Sequence, residues 1–192
     1  MFIHSMNKKT AILIHDVATA MFLVPFSALC IAEVFFGYIV YPMFLTHALT
    51  LHMSYDLVWI ILQPEIIPSL RGLIILHHLV ALLYLLRPLM HPEESYLTSL
   101  AALVEIDTSI LMFRRFTPRW SSLYRYVNNL YYLSNLFIRV YYELFLTFLV
   151  FFTYSREDFY TKAHMLGCQI FINVFSCGIC ALTYSKKNPA LQ

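Results

Sequence analysis

Charge is what this chain has least of. Only 12% of its 192 residues are Asp, Glu, Lys or Arg, about half the share a soluble domain carries. A solvated globular surface is excluded on that ground, and a net charge of +2 leaves no electrostatic footprint for nucleic acid. Glycine is scarce as well, with four residues, and neither an internal repeat nor a low-complexity segment is present. No Asn-x-Ser/Thr sequon occurs. Of the four cysteines, Cys30, Cys168, Cys177 and Cys180, all fall in apolar stretches. Cys177-Gly-Ile-Cys180 has a redox-like spacing without a soluble scaffold around it, and reads as small apolar filler. Alternation of apolar and polar residues over about ten positions, the mark of a barrel strand, is missing too.

What the chain has is apolar sequence in long runs. Sixty per cent of the residues are hydrophobic, and the mean hydropathy is +0.67. Runs of about 20 residues match the hydrocarbon core of a bilayer. Because every backbone amide in lipid needs an internal partner, runs such as Arg71-Gly-Leu-Ile-Ile-Leu-His-His-Leu-Val-Ala-Leu-Leu-Tyr84 predict helices. The expected architecture is all-α: a single polytopic membrane bundle over 1–192 with six spans, at about 11–33, 43–62, 71–86, 95–113, 123–152 and 163–184. The first span is too long for a signal-peptide core and lacks a small-residue cleavage site, so it is expected to be retained. Gly37 and Pro42 mark a turn or kink after it. The second span is expected to end at Gln63-Pro64-Glu65 and Pro68, the third at Arg87-Pro88, the fourth at Arg114-Arg115. The fifth is about 30 residues long and predicts a tilt, a kink or a projecting end.

Six spans put both termini on one side. That side holds nine lysines and arginines (Lys8, Lys9, Arg71, Arg114, Arg115, Arg119, Arg125, Lys186 and Lys187), and the other holds three, Arg87, Arg156 and Lys162. The positive-inside rule then predicts cytosolic termini.

Ionisable groups inside such spans carry the functional signal. Each costs at least ~2.5–3.5 kcal/mol at the bilayer centre on insertion scales. His15 and Asp16 fall in the first span, His47, His52 and Asp56 in the second, His77 and His78 in the third. Glu105 and Asp107 fall in the fourth, Arg139 and Glu143 in the fifth. At ~1.5 Å per residue, His77 lies ~9 Å and Glu105 ~13 Å from the cytosolic edge, so the groups can share one cavity. Arg139 and Glu143, four apart, are expected to neutralise each other. Asp16 is expected to reach water at its helix end, and His47 and His52 to be neutral hydrogen-bonded residues. The tyrosines at 124, 126, 131, 132, 141 and 142 read mostly as interface anchors and packing. Adjacent residues point ~100° apart on a helix, so His77 and His78 both face inward only around a broad cavity. That arrangement is poorly aimed for shared metal ligation, unlike an i, i+4 pair, and no metal or other cofactor is expected.

The His77-His78 segment resembles the double-histidine helix of the TLC family, the homology domain shared by ceramide synthases and the TRAM translocon-associated proteins. Further pieces follow in the family's order. Leu13-Ile14-His15-Asp16 resembles the early histidine segment, and Ser54-Tyr55-Asp56-Leu57 the tyrosine-aspartate segment. Glu105-Ile106-Asp107 through Arg114-Arg115 resembles the later glutamate segment, and Asn128-Asn129 through Arg139 the asparagine-to-arginine stretch. The resemblance implies work on membrane lipid in the endoplasmic reticulum. His77, His78, Glu105 and Asp56 become candidate catalytic groups, and His15, Asp107, Asn128 and Arg139 candidate substrate-binding groups. An imidazole can act as general base or take up an acyl group, with a carboxylate orienting it, and a cytosolic cavity suits an acyl-CoA donor. Ceramide synthases carry a His-Asp and a second aspartate three residues on, whereas this chain reads Val104-Glu105-Ile106-Asp107-Thr108-Ser109. It therefore resembles more closely the small TLC proteins outside the ceramide synthases.

Three functions follow as expectations: a lipid-metabolic or lipid-homeostatic TLC protein, with acyl transfer through the histidines; a sphingoid-base N-acyltransferase; and a non-enzymatic membrane adaptor or chaperone in protein export. The first two require an open cavity, the third a closed bundle with every buried polar group paired. A transporter would show inverted repeats, and the chain has none.

Overall fold

The computed structural model describes residues 8–38, 43–64 and 70–187. Its helices are α1 (Lys8–Phe36), α2 (Phe44–Leu62), α3 (Arg71–Met90), α4 (Tyr96–Ala102), α5 (Glu105–Phe116), α6 (Ser122–Leu136), α7 (Glu143–Thr153) and α8 (Phe159–Lys187). A 3-10 turn, Pro92–Glu94, precedes α4, and a π-helical segment, Phe137–Tyr142, joins α6 to α7. No strand occurs among the described residues. Six of the resulting segments are long and apolar enough to cross a membrane: Lys9–Phe36, Phe44–Leu62, Arg71–Met90, Pro92–Phe116, Ser122–Thr153 and Phe159–Ser185. The outer surface agrees, since large apolar side chains such as Met21, Leu51, Phe148 and Val174 face outward. The chain is an all-α polytopic membrane bundle.

Two of the predicted boundaries move. The third span does not stop at Arg87-Pro88 but runs through Pro88 to Met90. The last turn is held by the His91 amide on the Arg87 carbonyl, 2.8 Å, and by Arg87 itself, whose Nε and Nη2 donate to Glu94 at 3.0 and 2.7 Å. The fourth span is not one helix. It breaks at Leu103 and Val104, where the amides turn to carbonyls three residues back. The Tyr142 hydroxyl donates to the Leu100 carbonyl at 2.8 Å, supplying a partner where the α-helical ladder is interrupted. Irregular backbone at membrane depth is tolerated where protein or a cavity covers it, and this break faces both. Gly37, with φ +64°, ends α1 as the turn signal predicted; Pro42, Glu65 and Pro68 lie outside the described residues.

The apolar core fills only one half of the bundle. Phe26, Cys30, Leu45, Leu49, Leu85, Ala102 and Leu103 form one cluster, and Tyr84, Leu97, Val150, Tyr154, Met165 and Cys168 a second. These residues come from the end where α3 meets α4 and α7 meets α8. Thr46 and Thr98 bridge α2 to α4 at 2.9 Å, and Ser99 donates to Glu33 of α1 at 2.8 Å. Glu94 accepts from both Arg87 and the Tyr154 hydroxyl, fastening that end. The opposite end carries Arg71, Arg114, Arg115 and Arg119. Arg71 caps the C-terminus of α2, donating to the Ile60 and Ile61 carbonyls at 3.3 and 2.9 Å, the end of the helix dipole that favours a cation. In this basic half the bundle is hollow.

Candidate functional site

The hollow is a cavity of about 770 Å³, within the range of about 300–1,000 Å³ that encloses drug-sized ligands. Its walls are graded along their length. At the basic end lie Asp16, Arg114, Arg115, Arg119 and Tyr124; the middle carries His15, Asp56, His77, His78 and Glu105; beyond them lie Leu23, Leu49, Leu85 and Leu146, with Glu143 and Gln169 bonded to each other beside them.

Asp56 is the hinge of the middle layer. From α2 it places Oδ1 2.5 Å from Nε2 of His15 on α1, and Oδ2 2.8 Å from Nε2 of His78 on α3. One carboxylate therefore ties three helices. His78 is fully committed. Its Nδ1 donates to the Ile74 carbonyl one turn back, 2.8 Å, so Nε2 can bond Asp56 only through a further proton shared between ring and carboxylate. His15 turns Nδ1 toward Asp16, 3.6 Å away. That gap is too long for a hydrogen bond, and the nitrogen is buried without a partner. Asp16 instead accepts from Nη1 of Arg115 at 2.7 Å.

His77 is the opposite of its neighbour. Its ring stacks on Phe175 of α8 at 4.1 Å and 15°, and stands edge-on to His78 at 5.5 Å and 88°. No protein group among the described residues hydrogen-bonds either ring nitrogen, and Nδ1 is buried. An imidazole held by stacking alone keeps a lone pair for chemistry, whereas His78 has none to spare.

Glu105 enters from the first turn of α5 beside Thr108. The break before it frees α5 to begin at that depth, and a helix N-terminus favours a carboxylate. Asp107, two residues on, points away from the cavity. It is 1% exposed and accepts from Ser134 at 2.7 Å, Asn135 at 3.1 Å and Arg139 Nε at 2.6 Å. The expected Arg139–Glu143 neutralisation is therefore not what forms. Arg139 pairs with Asp107 and also donates to Thr108 at 3.1 Å. Glu143 instead accepts from Gln169 at 2.9 Å and Ser176 at 3.2 Å of α8. Arg139 sits within the π segment, a widened turn that is common at functional sites, and the pairing it finds is across helices rather than along one.

Of the eight site residues read from sequence, six line the cavity: His15, Asp56, His77, His78, Glu105 and Arg139. Asp107 and Asn128 do not. Asn128 accepts from Nε of Arg114 at 2.8 Å and orients that arginine, whose guanidinium lies over Tyr131 at 4.9 Å. His52, expected to be hydrogen-bonded, stacks on Phe22 at 4.3 Å and lines the cavity; its place four residues before Asp56 puts both on one face. Gln169, Phe175 and Arg119 are cavity residues with no motif to announce them. His47 Nδ1 donates to the Met43 carbonyl, 2.7 Å, on the outside.

His91, Glu93 and Glu94 at the far end bring three ligand-type atoms together. The Glu94 carboxylate is already neutralised there by Arg87, so it offers no free charge to a cation. The cysteines are free. Comparison with protein-family models, curated proteins and solved structures found no match.

Proposed function

We propose that this protein is a TLC-type membrane protein of lipid metabolism that transfers an acyl group inside the graded cavity, with His77 as general base. The observation that carries the reading is the asymmetry of the histidine pair. His78 has both nitrogens bound by Ile74 and Asp56, while His77 has neither bound and lines the cavity. The grading supports an amphiphile held lengthwise, with its polar head at the arginines, its reacting carbonyl at the histidines and its chain among Leu23, Leu49, Leu85 and Leu146.

In the step this arrangement suits, an acceptor hydroxyl or amine attacks the carbonyl carbon of a long-chain acyl thioester. His77 takes the proton from the acceptor as the new C–O or C–N bond forms. The C–S bond breaks, and the thiolate recovers the proton from His77. Arg139, already paired with Asp107, keeps a guanidinium donor on the cavity wall for the developing oxyanion. Glu105 is an acceptor on the same wall able to orient the attacking group. Cytosolic access for a water-soluble donor and residence in the endoplasmic reticulum belong to the same proposal. The open cavity and the unpaired His15 and His77 nitrogens favour it over a closed adaptor bundle.

The test is a product assay. Purified protein and a His77→Ala, His78→Ala double variant are given labelled long-chain acyl-CoA with a panel of sphingoid and lysophospholipid acceptors, and products are read by mass spectrometry. A labelled product from the parent alone supports the proposal and names the acceptor. A folded parent that labels no acceptor removes acyl transfer, and equal product from both proteins removes the histidines.

A further inference from the structure

The cavity mouth holds more positive charge than its protein partners use. Arg114, Arg115 and Arg119 all line it. Arg115 spends Nη1 on Asp16, and Arg114 spends Nε on Asn128. A guanidinium has five donors, so most of the donors of both remain for a ligand. Arg119 is exposed and has no hydrogen-bond or ion-pair partner among the described residues. Among the described residues that line the cavity at this level, three arginines face one carboxylate, Asp16. Beside Arg119, Trp120 is 89% exposed, and Phe116 and Tyr126, close by in sequence, are exposed as well. Aromatics of that kind mark the headgroup level of a bilayer. The asparagine contact and the Tyr131 stacking hold Arg114 in place, so this is a partly preorganised fork rather than a set of loose surface charges.

We propose that the mouth is a binding site for a phosphate-bearing headgroup, with Arg119 as its uncommitted ligand and Arg114 and Arg115 as oriented neighbours. Arginine forks match phosphate oxygens in bidentate fashion. The phosphate has two sources with the same chemistry, the nucleotide phosphates of an acyl-CoA or the phosphodiester of an anionic membrane lipid. The inference rests on the lengthwise placement argued above but does not need turnover, so it is tested by binding.

Trp120 is the reporter, in a Trp59→Phe background that removes the chain's other tryptophan. Its fluorescence is followed in neutral detergent micelles while coenzyme A without an acyl chain, lysophosphatidate or an uncharged monoacylglycerol of the same chain length is added. The parent is expected to bind at least one phosphate-bearing probe, more weakly as salt rises, and to bind the uncharged probe at least about tenfold more weakly. Arg119→Gln is expected to weaken the phosphate probe about tenfold and leave the uncharged one unchanged. Coenzyme A binding assigns the phosphate to the donor; lysophosphatidate binding alone assigns it to a lipid. Equal affinities for charged and uncharged probes, or an Arg119→Gln variant that binds phosphate like the parent, overturn the inference. Histidine-dependent product formation accompanied by that second result would remove the phosphate site and leave the acyl-transfer proposal standing.

Discussion

Asp107→Ala is expected to lower stability by about 3–5 kcal/mol, the cost of leaving a buried charge without its partner. The carboxylate is 1% exposed and receives donors from Ser134, Asn135 and Arg139. Removing it strands the Arg139 guanidinium and two further donors at once. Hydrogen bonds between membrane helices usually measure smaller, near 0.6 kcal/mol, because a solitary neutral donor finds another partner. An uncompensated cation has fewer ways out. Replacing both ions, as Asp107→Leu with Arg139→Met, is expected to recover most of the loss, since apolar replacements of a buried pair are often neutral. Denaturant unfolding in mixed micelles measures both variants. A loss below about 1 kcal/mol for Asp107→Ala would mean that this network does not anchor α5 to α6 as its geometry implies.

The two histidines are expected to separate activity from stability. His77→Ala should slow acyl transfer by about 10²–10⁴-fold, the usual contribution of a general base. Ring contacts with Phe175 and His78 are lost but no hydrogen bond, so stability should fall by no more than about 1.5 kcal/mol. His78→Ala and Asp56→Asn should instead lose both. Each opens the bridge that joins α1, α2 and α3 through Asp56, leaving buried polar groups short of a partner at about 1–3 kcal/mol. The check is a rate and an unfolding curve on each of the three variants at matched folded concentration. If His77→Ala and His78→Ala behave alike in both, the division of labour drawn from their hydrogen bonds is wrong.

The spans were legible because bilayer thickness fixes run length, and hydropathy reads run length directly. The interruption at Leu103-Val104 was not, because Leu100-Ala-Ala-Leu-Val104 contains no glycine or proline. A tertiary contact accompanies it: the Tyr142 hydroxyl, from the π segment, donates to the Leu100 carbonyl. The π segment at Phe137–Tyr142 is equally unmarked in sequence. Local spacing also misled at Arg139. The i, i+4 rule offers Glu143 as its partner, but three residues distant in sequence assemble a better site around Asp107. The same limit applies to Asn128, which orients Arg114 rather than lining the cavity. Counting arginines at 114, 115 and 119 served an orientation argument and concealed the mouth, since a charge tally carries no direction. His15, Asp56 and His78 were visible as costly residues in apolar runs, but their joining through one carboxylate required the helices to be placed.

The central claim is that a long acyl chain occupies this cavity with its reacting end at His77. The measurement that tests it most directly is photo-crosslinking of the purified protein with a long-chain acyl-CoA bearing a diazirine at the far end of its chain. Modified peptides are then located by mass spectrometry, with and without excess unlabelled acyl-CoA. The predicted result is labelling on the inner wall, at or next to Leu23, Leu49, Leu85 and Leu146, abolished by competitor. Labelling confined to outward-facing residues such as Leu51, Phe148 and Val174, and indifferent to competitor, would contradict it.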